Sequence, residues 1–268
     1  MNETLLRSIS GAVYVSLLLF CLIFSKESFF ILFSFFLMVA SFEFSKLVKL
    51  NKWLLMGCSA VSIYLIYPHF NNKIELLDYL LTISSVSMLV YLIYNLFSQK
   101  ENPKKLGFLY FIGYIILPFL IALKIPFNGV NYRPKIFVSI LILIWANDTF
   151  AYLVGKNFGK NKLFPSISPK KTIEGFFGGM LFTIICGLLL ANYYIETSNP
   201  YIWIIIALII SVFSTIGDLI ESKFKRAAGV KDSGSIMPGH GGILDRLDSI
   251  IFVVPFIYLF ILIKNYVS

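Results

Sequence analysis

Cysteine, histidine and acidic side chains are all scarce in this sequence. The chain of 268 residues contains three cysteines and two histidines. Cys21, Cys58 and Cys186 lie apart in apolar segments, which argues against a disulfide framework and against a cysteine-ligated zinc site. The sequence contains no GxxxxGK[ST] phosphate-binding loop. The stretches between the apolar segments are too short to form a soluble domain.

Long apolar segments make up most of the chain. Hydrophobic residues account for 58% of the sequence, and the mean hydropathy is +0.82. Apolar runs of about 20 residues match the thickness of a bilayer core, where the backbone must form helices. We therefore predict an all-α polytopic membrane protein with about nine transmembrane helices. The predicted spans are roughly 9–25, 28–45, 53–68, 76–97, 106–123, 136–155, 175–195, 201–221 and 249–264. We interpret 1–130 as an N-terminal transmembrane region and 131–268 as the C-terminal catalytic region of a single integral membrane domain.

Lysine and arginine concentrate in alternate loops between the predicted spans. The loops after the sixth and the eighth span hold five each. Lys100, Lys104 and Lys105 are predicted on the same side of the membrane as these two loops, whereas Lys73 is predicted on the opposite side. By the positive-inside rule this bias places the N-terminus and the charge-rich loops in the cytoplasm. We predict a multi-pass protein of the cytoplasmic membrane whose active site faces the cytoplasm. The net charge of +9 follows from this distribution and from attraction to anionic membrane lipids, so no nucleic-acid partner is expected.

Two acidic residues near span ends are interpreted as structural. Glu43 is followed by Lys46 at i+3, a spacing that favours an ion pair at the membrane interface. Asp78 opens the fourth span and is also interpreted as interfacial. His69 lies in a turn on the outer side, and we assign it no role.

The densest polar stretch joins the eighth predicted span to the ninth. Gly217 removes a side chain near the end of the eighth span, so that another group can approach closely. Residues at i, i+3, i+4 and i+7 then share one helix face: Asp218, Glu221, Ser222 and Lys225. The following segment, 227–242, is rich in turn-forming residues, and we expect it to be irregular.

Three aspartates are expected to converge at the ends of these two spans. Asp245 and Asp248 share a helix face, and Asp218 lies one helix earlier. Carboxylates this close would repel each other unless a cation were bound. Carboxylate oxygens suit Mg²⁺, which commonly binds substrate phosphates as well. We therefore predict a magnesium site formed by Asp218, Asp245 and Asp248.

Two loops offer groups that bind phosphate. Lys170 and Lys171 precede Thr172, which can cap the next helix, and this pattern fits either an anion site or an ordinary basic interfacial loop. The glycines of 239–242 allow backbone N–H groups to approach phosphate oxygens. His240 is either a catalytic acid or base or a structural residue bonded to the loop. Together these parts suit phosphoryl or nucleotidyl transfer.

These residues closely resemble the signature of the phosphatidate cytidylyltransferases, or CDP-diacylglycerol synthases. The resemblance covers about residues 140–250 in detail, and the N-terminal half is similar only in hydropathy and span count. One departure is Met237, where Leu, Ile or Phe is expected. The matching blocks are Asn147-Asp148-Thr149-x-Ala151-Tyr152, Ser168-Pro169-Lys170-Lys171-Thr172-x-Glu174-Gly175, Ser222-x-Phe224-Lys225-Arg226, Lys231-Asp232-x-Gly234 and Pro238-x-His240-Gly241-Gly242-x-x-Asp245-Arg246-x-Asp248.

The resemblance implies transfer of CMP from CTP to phosphatidate, which gives CDP-diacylglycerol and pyrophosphate in phospholipid biosynthesis. It also implies Mg²⁺ dependence, with a second cation plausible in the same carboxylate site, and a homodimer. By position, the catalytic residues would be Asp218, Asp245, Asp248, His240 and Lys225. The substrate-binding residues would be Ser222, Arg226, Lys231, Lys170, Lys171, Thr172, Asp148, Gly241, Gly242 and Arg246.

Three other classes of protein also place acidic residues in or near a membrane. A CTP-dependent polyprenol or phytol kinase is disfavoured by the complete HGGxxDRxD block. A CDP-alcohol phosphotransferase would need a DG…AR…G…D…D spacing, which the sequence lacks. A transporter would place acids near mid-span and would show an internal repeat, whereas here the acids lie at span ends.

Overall fold

Nine helices follow one another in the part of the chain that the structure describes. The computed structural model describes residues 3–71, 75–98, 106–197 and 199–267, and about 80% of the chain is helical. The helices are α1 (Glu3–Phe24), α2 (Lys26–Val48), α3 (Lys52–Ile66), α4 (Glu75–Ser98), α5 (Gly107–Ala122), α6 (Pro134–Phe158), α7 (Ile173–Ile195), α8 (Tyr201–Ala228) and α9 (Leu244–Val267). Each overlaps one predicted span, so the predicted all-α class is confirmed.

The ends of the helices follow signals in the sequence. Ser25 caps α2 by accepting a hydrogen bond from the Ser28 N–H, while the Ser28 hydroxyl accepts one from the Ser25 N–H. Pro134 begins α6, where its missing N–H has no intrahelical partner to lose. Helix α8 ends at Gly229, whose φ of 78° is the left-handed conformation of a glycine C-cap.

Seven of the described helices are long and apolar enough to cross a membrane. The protein is therefore a polytopic helical membrane protein. Helices α3 and α5 are shorter. At 1.5 Å per residue the 15 residues of α3 extend only about 22 Å, less than a typical hydrocarbon core of about 30 Å. A count of nine membrane crossings remains a prediction.

The bundle has two polar ends, and residues from four of the segments predicted to share a side meet at one of them. Three contacts mark the end that carries the acidic residues: Ser10 with His240, Glu43 with Leu244, and Lys171 with Asp218. Asp78 and Lys124 pair near the opposite end. Lys73, Lys100, Lys104 and Lys105, which enter the charge bias, lie outside the described residues. Which end faces the cytoplasm remains a prediction.

An aromatic core crosses the predicted division at residue 130. Phe29 and Phe33 of α2 each lie 5.3 Å from Phe137 of α6, measured between ring centroids. Phe44 of α2 meets Phe224 of α8 edge to face, also at 5.3 Å. Edge-to-face pairs of this kind add to the stabilisation from apolar burial. The two regions therefore pack together, and the functional division between 1–130 and 131–268 remains an interpretation.

Asp78 is buried, so its interpretation as an interfacial residue is wrong. Its side chain is 1% exposed, and the Lys124 Nζ lies 2.6 Å away. The Tyr258 hydroxyl donates a hydrogen bond to its other oxygen at 3.1 Å. Helix α4 packs against α9 here, and a carboxylate in such surroundings has to be paired. Lys124 also donates to the carbonyl oxygen of His69.

Two short antiparallel hairpins interrupt the helical fold. Strands β1 (Phe127–Asn128) and β2 (Asn131–Tyr132) join α5 to α6. Strands β3 (Lys162–Phe164) and β4 (Ser168–Thr172) join α6 to α7. The second hairpin brings Lys171 of the sequence motif to the acidic end of the bundle.

Candidate active site

Three carboxylates from two helices converge at the polar end of the bundle. Asp218 and Glu221 lie on α8 and Asp248 lies on α9, and one oxygen of each lies within 4.8 Å of the other two. We call these three residues the acid cluster. Glu221 is only 1% exposed and forms an ion pair with Lys225. Its two oxygens nevertheless lack a hydrogen-bond donor of good geometry among the described residues.

The absence of a side chain at Gly217 allows α9 to approach α8. A Cβ at this position would lie 2.6 Å from the Cβ of Phe252 and 3.0 Å from the carbonyl oxygen of Asp248. The expected close approach beside Asp218 is therefore confirmed, and the approaching group is the α9 backbone. This contact brings Asp248 next to the carboxylates of α8.

The predicted polar face of α8 is also confirmed. The Ser222 hydroxyl donates to Asp218 Oδ1 at 3.3 Å. One turn further along, the buried Lys225 pairs with Glu221 and also donates to Asp245 Oδ1 at 2.7 Å. Lys225 thus connects the acid cluster to Asp245.

Asp245 holds the loop before α9. Its Oδ2 accepts hydrogen bonds from the N–H and the hydroxyl of Ser233, at 2.9 and 2.8 Å, and from the N–H of Gly242 at 2.7 Å. Gly241 lies beside the Asp245 carboxylate and has a φ of 88°, a backbone conformation that favours glycine. The structure thus groups Glu221, and not Asp245, with Asp218 and Asp248. A metal-binding role for Asp245 remains a prediction.

The β3–β4 hairpin supplies a second cation. The Lys171 Nζ lies 2.6 Å from Asp218 Oδ2 and donates to the carbonyl oxygen of Thr215 at 3.3 Å. Its neighbour Lys170 is exposed, as expected because alternate residues of a strand point to opposite faces. The Thr172 hydroxyl accepts from the N–H of Gly175 at 3.1 Å, so the predicted helix cap is confirmed.

Asp148 of α6 borders the acid cluster. Its carboxylate interacts electrostatically with Lys171 and Asp218. The preceding Asn147 is buried and donates hydrogen bonds to Ser214 at 3.0 Å and to Asp148 at 3.4 Å. Helix α6 therefore contributes a further negative charge beside the α8–α9 carboxylates.

A basic cleft of about 430 Å³ opens beside the glycine-rich loop. The charged residues that line it are Arg7, Lys231, Asp232 and Arg246, and the imidazole ring of His240 lines it as well. The Arg246 guanidinium donates to the carbonyl oxygen of His240 at 3.0 Å. The cleft carries more positive than negative side chains, so it favours an anionic ligand.

His240 is held by the first helix. Its Nδ1 lies 2.7 Å from the oxygen of the Ser10 hydroxyl, and this hydroxyl donates a hydrogen bond to the carbonyl oxygen of Pro238 at 2.9 Å. Partial burial, together with the nearby Arg246 and Arg7 charges, lowers the pKa of His240 below its ordinary value of 6.5. The folded protein therefore favours the neutral ring.

Glu43 does not form the ion pair predicted with Lys46. Its carboxylate is fully buried and accepts hydrogen bonds from the N–H groups of Ile243 and Leu244, at 3.2 and 2.8 Å. Lys46 instead lies over the ring of Phe42, 4.1 Å from its centroid. The i+3 spacing is correct, but tertiary packing places the start of α9 against Glu43.

A sequence model of the cytidylyltransferase family matches residues 5–264 of this chain. The chain belongs to this family. The match spans all nine helices and both cation-bearing loops, so it includes the N-terminal half, where the motif resemblance gave only hydropathy and span count.

Several relatives bear the name phosphatidate cytidylyltransferase. The relative from Staphylococcus aureus (strain COL) is 47% identical over 146 residues, which is 54% of this chain and 54% of the relative. Relatives from Staphylococcus epidermidis (strain RP62A) and Staphylococcus haemolyticus (strain JCSC1435) are 43% and 42% identical over 144 residues. The chain thus aligns with about half the length of the curated relatives it matches.

The remaining predicted site residues lie around the acid cluster and the cleft, with different exposures. Lys231 and Gly241 line the cleft. Arg226 is exposed and donates to the carbonyl oxygen of Val230 at 3.0 Å. The N–H of Gly242 is used by Asp245 and therefore does not face a ligand. Ligand contacts of these residues remain predictions.

Sequence reasoning missed three residues that the structure brings to this region: Glu221, Glu43 and Ser10. A signal for Glu221 was available, because it shares the helix face of Asp218. No local pattern marks Ser10 or Glu43, because their partners His240 and Leu244 lie 230 and 201 positions later in the sequence.

The acid cluster fits a hard divalent cation. Its donor set is entirely carboxylate oxygen, as Mg²⁺ prefers. The Glu221 oxygens are buried without a well-oriented hydrogen-bond donor among the described residues, and such groups are costly unless another ligand satisfies them. Lys171 and Lys225 offset only part of the negative charge.

Proposed function

We propose that this protein is a phosphatidate cytidylyltransferase, which transfers CMP from CTP to phosphatidate. The observation that carries the proposal is the acid cluster, flanked by Lys171 and Lys225, at one end of a membrane-embedded bundle in a chain of the cytidylyltransferase family. Relatives named for this activity at 42–47% identity support the same substrates.

The reaction joins a phosphate oxygen of phosphatidate to the α-phosphorus of CTP. The bond from that phosphorus to the oxygen bridging to the β-phosphorus breaks, and pyrophosphate leaves. The attacking phosphate is already ionised at neutral pH, so it needs little help from a base. The protein therefore acts mainly by positioning two polyanions and offsetting their charge.

Asp218, Glu221 and Asp248 would hold Mg²⁺. When bound, this ion would neutralise phosphate charge and orient the triphosphate. Lys171 pairs with Asp218 and Lys225 pairs with Glu221, which adds positive charge at the edge of the cluster. Lys231 and Arg246 give the neighbouring cleft the charge needed to bind phosphate groups.

The position of the site suits one lipid and one water-soluble substrate. The acid cluster lies in the last three turns of α8 and the second turn of α9, near the end of the bundle where a lipid head group and the aqueous phase would meet. Helix α7 exposes an apolar row suited to contact with lipid: Phe177, Leu181, Ile185 and Leu189. We further propose that this end faces the cytoplasm, as the lysine and arginine bias suggests, and that the protein forms a homodimer, as the family resemblance suggests.

One assay tests the proposal. Purified protein in detergent is given phosphatidate, CTP labelled in the α-phosphate and Mg²⁺, and lipid products are separated from pyrophosphate. We expect labelled CDP-diacylglycerol, its loss when Mg²⁺ is chelated, and no turnover by Asp248→Asn protein that inserts and purifies normally. Phosphorylation of a lipid alcohol by CTP, without a product from phosphatidate, would instead indicate a lipid kinase.

A further inference from the structure

Glu43 caps helix α9 although it belongs to α2. Its side chain is 0% exposed, and the N–H groups of Ile243 and Leu244 donate to its two oxygens at 3.2 and 2.8 Å. The first N–H groups of a helix have no intrahelical acceptor, and a carboxylate there also interacts favourably with the helix dipole. The start of α9 is therefore fixed by a residue about 200 positions earlier in the chain.

The loop before α9 is shaped around this carboxylate. A Cβ at Gly242 would lie 2.6 Å from both oxygens of Glu43, and a Cβ at Gly234 would lie 2.8 Å from its carboxyl carbon. Contacts this short are not tolerated between real atoms. Both glycines are thus required for Glu43 to reach the helix start.

A continuous series of polar contacts leads from Glu43 to the acid cluster. The Ser233 hydroxyl lies 3.3 Å from Glu43 and 2.8 Å from Asp245. Asp245 then accepts from Lys225 at 2.7 Å, and Lys225 pairs with Glu221. Every residue in this series is at least partly buried, so none of the contacts is an ordinary solvated surface pair.

The same cap sets the position of the α9 carboxylate. Asp248 follows Leu244 by one helical turn, and the α9 backbone at Asp248 packs against Gly217 of α8. A shift of the α9 start would therefore displace Asp248 relative to Asp218.

We propose that Glu43 is a positioning residue for nucleotidyl transfer, acting through Ser233, Asp245 and Lys225 on Glu221 and through the start of α9 on Asp248. This inference rests on the proposed function. It assigns a role to α2, which contributes no residue to the motif blocks of the C-terminal half. Glu43 itself does not contact substrate.

The test is Glu43→Gln in the full-length protein, purified in detergent. Glutamine has nearly the same size, but its NH₂ group cannot accept from the α9 N–H groups. We expect kcat per folded molecule to fall about 10–100-fold, as for other outer-shell partners, with a smaller change in KM for CTP. Hydrogen exchange measured without substrate should accelerate at the amides of Ile243 and Leu244.

Asp78→Asn is the matched control. Asp78 is an equally buried carboxylate, but it lies at the opposite end of the bundle. This variant should lose thermal stability while keeping the wild-type kcat and wild-type exchange in 233–244. Ser233→Ala interrupts the series at a single hydroxyl and should lower kcat in the same direction, by less than Glu43→Gln.

Two results would overturn the inference. One is wild-type kcat and wild-type loop exchange in Glu43→Gln protein. The other, which decides the matter if Glu43→Gln does not fold, is wild-type kcat in Ser233→Ala. If the wild-type protein makes no CDP-diacylglycerol, the proposed function fails separately, and the exchange data still decide whether Glu43 holds the loop.

Discussion

The Nζ atom of Lys171 lies 2.6 Å from the Oδ2 atom of Asp218, and this contact joins the β3–β4 hairpin to helix α8. Asp218 belongs to the acid cluster, whereas Lys171 is carried there by the β3–β4 hairpin. The half-exposed Asp218 carboxylate keeps room for a ligand beside the lysine. The site therefore combines the α6–α7 connection with helices α8 and α9.

Replacing Lys171 by glutamine should lower kcat/KM about 10–100-fold, because it removes the partner that orients Asp218. The measurement is CDP-diacylglycerol formation at saturating Mg²⁺. Lys162→Gln is the matched control, since this lysine lies on the same hairpin but is exposed. Equal activity of the two variants would show that the Lys171–Asp218 contact has no catalytic role.

Glu221 and Asp245 should respond differently to loss of charge. Glu221→Gln replaces one carboxylate of the acid cluster by a neutral amide, so the Mg²⁺ concentration for half-maximal activity should rise by about 10-fold or more. Asp245→Asn should mainly loosen the loop, with less effect on Mg²⁺ dependence. Binding of Mn²⁺, followed by electron paramagnetic resonance, checks the same ranking without turnover. A larger effect on Mg²⁺ dependence of Asp245→Asn than of Glu221→Gln would favour the metal site predicted from sequence, which consists of Asp218, Asp245 and Asp248.

The sequence predicted those parts of the site that depend on helical periodicity. The shared face of Asp218, Ser222 and Lys225 follows from their spacing alone, and so does the Thr172 cap. The meeting of the α6–α7 and α8–α9 loops followed from counting spans and charges, since loops that leave the bundle at the same end lie near each other.

Other features depend on tertiary packing, which periodicity does not report. Glu43 has Lys46 at i+3, but its carboxylate instead accepts hydrogen bonds from the N–H groups at the start of α9, and this packing excludes water. Asp78 looks interfacial because hydropathy windows cannot distinguish a helix end in water from one covered by α9. The contact between Ser10 and His240 joins opposite ends of the chain, and no local pattern marks it.

The pH dependence of activity should report His240. Burial and the Arg246 and Arg7 charges lower the pKa of this ring, so the folded protein favours the neutral form. Stability from this group is present above the ordinary pKa of 6.5 and is lost as the pH falls from there towards the folded-state pKa. Activity that needs the neutral ring should fall as the pH passes below the folded-state pKa.

Arg7→Gln tests this assignment. Removing a nearby positive charge raises the pKa of His240, so the acidic limb of the pH–activity profile should move to higher pH. His240→Gln should abolish that limb because glutamine does not titrate. An unchanged acidic limb in both variants would assign it to another group.

The buried pair of Asp78 and Lys124 should contribute to stability without affecting catalysis. The two side chains are 1% and 3% exposed, and they lie at the end of the bundle away from the acid cluster. Asp78→Asn leaves Lys124 buried without its carboxylate partner, which should lower the free energy of unfolding by about 3–5 kcal/mol.

The double variant Asp78→Leu/Lys124→Met removes both charges and should cost less than the single variant. Unfolding by denaturing detergent, combined with turnover measured on the folded fraction, checks both statements. A double variant less stable than Asp78→Asn would show that the pair itself stabilises the fold, and a lower kcat in the folded fraction would show that this end of the bundle communicates with the site.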